Sequence, residues 1–138
     1  MRVNVRLLCA ASIVALTVPL TVRAQEPINI QKARMELDAA ARELQVASKS
    51  SLAGTPRGDA LIRDLQALRS EIEMFRAAEE SRRPAVEKWR RYNRLVQAYR
   101  AVWRDVLDVS GRMDRSLVEK ASRLDRAFLA LEKIMRVS

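Results

Sequence analysis

Residues 82–104 gather the side chains best suited to bind something. Arg82, Arg83, Lys88, Arg90, Arg91, Arg94, Arg100 and Arg104 face Glu87 alone, a local net charge of +7, and the same stretch holds both tryptophans and both tyrosines of the chain. Guanidinium groups present paired N–H donors to carboxylates and phosphates, and aromatic rings stack or insert beside them. The chemistry on offer is recognition of an acidic protein surface, or of an anionic surface such as lipid headgroups or a polyanion. Sequence-specific nucleic-acid binding is not expected. A plainer role is compatible with both: at about 100° per residue, Trp89, Tyr92, Val96, Tyr99 and Trp103 fall within one arc of about 80°. Arg83, Arg90, Arg94 and Arg104 point roughly away from that arc. The spacing therefore predicts a helix whose rings fill a core and whose arginines form an outward ridge, with Arg83, Arg90, Arg91, Arg94, Arg100 and Arg104 as its candidate binding surface.

Other chemistry is scarce. The chain has no histidine, so it lacks the side chain that titrates near neutrality and ligates haem and transition metals. Its single cysteine, Cys9, lies within an apolar run near the N-terminus, so the chain behind it offers no thiolate nucleophile or thiolate metal site. The methionines are too scattered for a copper site, and no cofactor is expected. One enzymatic route survives, a small helical site that binds a dianion with Arg, Lys and Glu. It needs charged groups aimed into the interior, and only Lys88 and Arg91 lie at the edge of an apolar stripe, so the chain is expected to be non-enzymatic. Arg57-Gly58-Asp59 spells an adhesion tripeptide but reads as a turn glycine followed by a helix-capping aspartate.

Residues 1–24 carry the signature of a cleavable signal peptide: a basic start with Arg2 and Arg6, an apolar run from Leu7 to Val22 broken by Pro19, and Val22-Arg23-Ala24 before Gln25. A spanning helix wants about 20 predominantly apolar residues, more than this run supplies. The expectation is a periplasmic or secreted protein released by cleavage near Ala24. Of the 138 residues, 114 remain in one domain, 25–138; Arg2, Arg6 and Arg23 leave with the leader, so 23 basic residues face 17 acidic ones. With Cys9 gone no disulfide is available, and stability must come from packing and helix-terminal chemistry.

The elements that position this chemistry follow from spacing. Apolar residues recur at intervals of three and four in four stripes: Ile30 to Ala47, Leu61 to Phe75, Trp89 to Val106, and Leu117 to Met135. Ser48 to Asp59 is rich in loop formers, with Thr55 or Asp59 available as a cap; Pro84 marks a turn or kink; Ser110-Gly111 marks a third break, followed by Asp114 or Ser116 as a cap. The helices fall roughly at 29–50, 59–82, 84–109 and 114–137, each about 36 Å long at 1.5 Å per residue. Apolar faces wider than a two-stranded seam need neighbours on two sides, which predicts an all-α, up-down-up-down four-helix bundle. The alternative is an extended helical hairpin kinked at Pro84. The function expected is binding of another envelope or secreted protein, as an assembly factor, chaperone-like protein or secretion-apparatus component, with homo-oligomers an open option.

Overall fold

Every stripe folds as a helix. The computed structural model describes the backbone from Val18 and the side chains from Ile30, through to Ser138. It contains α1 (Val18–Ser51), α2 (Pro56–Glu80), α3 (Ala85–Val109) and α4 (Arg115–Val137), with a 3-10 turn at Ser110–Arg112 before α4. No strand occurs among the described residues. The leader expected over residues 1–24 falls outside the part whose side chains are described.

The breaks have local causes. Thr55 caps α2: its hydroxyl accepts from the Gly58 N–H at 3.1 Å and donates to the Leu52 carbonyl at 2.9 Å, while Pro56 takes the first helical position, where its missing N–H costs nothing. Asp59 does not cap the helix; it accepts from the N–H of Gly54, which holds φ at 89° in the loop. At the other end of α2, Arg82 adopts φ 49°, the N–H of Arg83 reaches back to the Ala78 carbonyl and that of Arg82 to the Glu79 carbonyl. This is a Schellman closure with arginine where glycine is usual, and Pro84 then prevents the helix from resuming. The continuous helical hairpin is therefore not formed. Asp114, not Ser116, caps α4 by accepting from the Leu117 N–H at 2.8 Å.

Packing joins the helices into an arrangement consistent with a four-helix bundle. The backbone of α1 lies against α2 and α4, and α2 lies against α3. Arg34 meets Glu79, Phe75 meets Tyr92, and Arg57 reaches the Asp108 carbonyl, so α2 runs antiparallel to both α1 and α3. The α3 and α4 backbones stay further apart, bridged by rings: Tyr99 lies flat on Phe128 with centroids 3.7 Å apart and planes within 6°. One apolar cluster fills the interior, led by Phe75 and by Leu37, Leu44, Leu65, Leu68, Leu95 and Leu124, all fully buried. Each such side chain contributes about 2–3 kcal/mol of transfer free energy. No helix among the described residues is long and apolar enough to cross a membrane.

The interior is not apolar throughout, as the stripes implied. Arg34 is 5% exposed and pairs with Glu79 at 2.9 Å, and Gln45, also buried, donates to Gln66 and accepts from Arg69. These groups sit on the α1/α2 seam, where a polar side chain is tolerable because its partner is supplied by the facing helix. Burial raises the Glu79 carboxyl above its ordinary value even though Arg34 and Lys88 pull it down.

Two of the three glycines, Gly58 in the first turn of α2 and Gly111 before α4, give opposite expectations. A methyl group on Gly58 would stand 1.9 Å from the Leu52 carbonyl oxygen, whereas nothing lies within 4 Å of the same position on Gly111. Thermal or urea unfolding of Gly58→Ala is expected to show a loss of about 2 kcal/mol or more, since backbone must move to admit the methyl. Gly111→Ala is expected to stay within about 0.5 kcal/mol of the parent or above it.

Candidate functional site

α3 presents two unlike sides. Tyr92, Leu95, Tyr99, Val102, Val106 and Val109 are buried, and Arg83, Arg90, Arg94, Arg100 and Arg104 are exposed, with Arg91 at the boundary. Only part of the aromatic arc enters the core. Tyr92 packs on Phe75 with centroids 6.1 Å apart, Trp103 stacks on Tyr99 at 6.3 Å and is half-buried, but Trp89 remains 42% exposed, touching the core only through a T-shaped contact with Tyr92 at 5.6 Å. Trp89 lies in the first turns of α3, where no later turn covers it.

Most of these arginines find no acid among the described residues. Among the described residues, Arg83 pairs with Glu87 at 2.6 Å, but Arg90, Arg91, Arg94, Arg100 and Arg104 have no carboxylate partner within 4.0 Å. Several arginines elsewhere find acids: Arg42 with Asp38, Arg69 with Asp38, Arg76 with Glu73 and Glu80, Arg123 with Glu43, Arg136 with Glu132. The cause is compositional. From Ala85 to Arg104 the only acid is Glu87, so the spacing of four that pairs charges on other helices has nothing to join here.

Two of these arginines edge a groove. Between α2 and α3 an open cleft of about 900 Å³ has an apolar floor and end made by Ala67, Val86, Trp89 and Ala98, and Arg90 and Arg94 stand along it with Asn93 and Gln97. Val86 is 72% exposed, and Met74, one turn from Glu71 on α2, is 44% exposed. Large apolar side chains left in water beside unpaired guanidinium groups are the composition of a recognition surface, where anchors and directional donors act together.

The same seam carries acids that were not singled out in the sequence. Glu71 lines the cleft, and its Oε2 is buried without a hydrogen-bond partner. Further along, Asp64 of α2 and Asp105 of α3 face one another, and the Asp105 Oδ2 is likewise buried without a donor. Burial, and then the Asp64 carboxylate, push the Asp105 carboxyl up to about 7, against an opposing pull from Arg104 and a further push from Asp108. Their signal in the sequence is spacing alone: Asp64, Ala67, Glu71 and Met74 share one side of α2 at intervals of three and four.

Arg, Lys and Glu also converge at one end of the molecule, where Arg34, Glu79, Glu80 and Lys88 line a cavity of about 390 Å³. Arg34 is committed to Glu79 and Glu80 to Arg76, so the charges there nearly cancel and no net positive field awaits a dianion. Among the described residues no cluster of acids, His or Cys is arranged to hold a metal ion.

The carboxylate pair sets a pH dependence. A carboxyl whose pKa is about 7 in the folded chain and 3.8 ordinarily holds its proton more tightly when folded. Its contribution is fully present below the ordinary value and is lost as pH rises through 7. Asp105→Asn, which keeps a neutral donor toward Asp64, is expected to raise the melting temperature by a few degrees at pH above that value and to give no gain in acid below the ordinary one; calorimetry across that range measures both. Compared with protein families, curated proteins and solved structures, the chain matches none of them.

Proposed function

We propose that this chain is an exported, non-enzymatic up-down-up-down helical bundle, freed by cleavage near Ala24, that docks an acidic region of another envelope or secreted protein on α3. One observation carries the reading: among the described residues Arg90, Arg91, Arg94, Arg100 and Arg104 have no carboxylate partner, and two of them line a cleft with an exposed tryptophan. An unpaired guanidinium offers bidentate hydrogen bonds to a carboxylate that surrounding ion pairs do not compete for. The cleft adds apolar anchors, which a bare charged ridge lacks.

Trp89 supports a second reading, adsorption to an anionic bilayer, because an exposed indole beside Arg90 is also suited to the lipid interface. The concavity of the cleft favours a protein, since a bilayer meets a convex helix face more readily than a cleft.

A photoreactive residue in place of Gln97, with export verified by an N-terminus at Gln25, tests both. The expected result is a crosslink to an acidic exported protein that is lost in Arg90→Glu/Arg94→Glu, with melting temperature unchanged. Binding of that partner should weaken by about two orders of magnitude in the same variant, from loss of two charge-assisted contacts and gain of repulsion. A protein that gives no such crosslink, but whose tryptophan emission shifts to the blue on phosphatidylglycerol vesicles and not on neutral ones, is a lipid binder.

A further inference from the structure

Of the buried oxygens without a donor on the α2/α3 seam, that of Asp105 has an internal explanation, since its retained proton faces Asp64. The one on Glu71 has none. Arg90, Asn93, Arg94 and Gln97 line the same cleft, yet none donates to it, and Glu71 accepts no hydrogen bond from any described residue. Ala67 lies one turn before it on α2, and Trp89 and Ala98 of α3 line the cleft with it. A carboxylate oxygen so placed is costly until something supplies it with a donor. The exposed Arg90 and Arg94 side chains line the same cleft, so it carries two positive groups and, at the half-buried Glu71, one negative one.

We infer that Glu71 is the specificity-determining residue of this cleft: it receives a Lys or Arg from an amphipathic helix of the partner, whose carboxylates meet Arg90 and Arg94 and whose apolar side chains lie on Ala67, Trp89 and Ala98. The inference rests on the docking reading above and deepens it, because it fixes the order of charges that the partner must present. The cleft runs from Val86 to Ala98, about 18 Å of helix at 1.5 Å per residue, and so takes three to four turns of a partner helix. An acid-only helix, or a polyanion, would leave the Glu71 charge opposed by like charge, so the two arginines alone do not define the ligand.

Two synthetic helical peptides of about 14 residues, the length that spans the cleft, test this against the purified protein by calorimetry. Both carry leucines along one stripe and flanking glutamates; they differ only in a central Lys or Gln on the stripe's edge. The Lys peptide is expected to bind the parent about tenfold more tightly, the worth of one charge-assisted hydrogen bond. That preference should vanish in Glu71→Gln and return in part in Glu71→Asp, with all three proteins melting alike. Equal affinities for the parent, or a Lys preference that survives Glu71→Gln, would overturn the role of Glu71 while leaving the arginine surface intact. A rise in affinity for both peptides in Glu71→Gln would mean that Glu71 holds a cleft arginine back, and overturns it too. If neither peptide binds, or if Arg90→Glu/Arg94→Glu leaves binding unchanged, the docking reading itself falls.

Discussion

The orientation of α3 about its own axis rests on the stack between Tyr99 and Phe128. With ring planes 6° apart and the Tyr99 hydroxyl donating to the Asp125 carboxylate, α3 cannot rotate without losing both the contact and a buried hydrogen bond. Burial, reinforced by Asp125, keeps the phenol well above its ordinary pKa, so it stays a donor at any pH the fold meets. Phe75 against Tyr92 holds the other end of the same face. Once these rings are fixed, the helical turn aims Arg90, Arg94, Arg100 and Arg104 outward.

That clamp makes the charge imbalance of α3 tolerable. Exposed ion pairs contribute little to folding, so leaving five guanidinium groups without acids sacrifices little, and their mutual repulsion is screened by solvent. The aromatic side more than compensates. The two sides of one helix thus differ in what they do for the fold: the rings hold it, and the cations stay in solvent. The α1/α2 seam shows the opposite arrangement, with Arg34, Arg69 and Gln45 each spent on a neighbour.

The helices and the direction of the arginines were legible in the sequence because both depend on period, and the period of Tyr92, Leu95, Tyr99 and Val102 admits one burial direction. The turn at Pro84 was ambiguous because its left-handed position is held by Arg82, a residue that carries none of glycine's signal. Trp89 shares the angle of the core rings but not their depth, since burial near a helix start depends on what the neighbouring turn covers. Arg34 and Glu79 were missed for a related reason. Each follows a stripe of its own helix, Arg34 between Ala33 and Leu37 and Glu79 one turn after Phe75, but only the facing register shows that they meet. The Asp64/Asp105 contact and the isolated oxygen of Glu71 likewise arise from the pairing of two helices, which no single stripe encodes.

The close backbone neighbours of α4 lie on α1, at the other end of the chain, while its approach to α3 is left to side chains. The first three helices join through short connections and can assemble from local hairpins, at little loss of chain entropy. Ring closure must wait for the last helix to find the first, across the greatest sequence separation in the molecule. Until α4 docks, the side of α1 that it covers stays open to water, and that interval is when the folding chain is most exposed to aggregation.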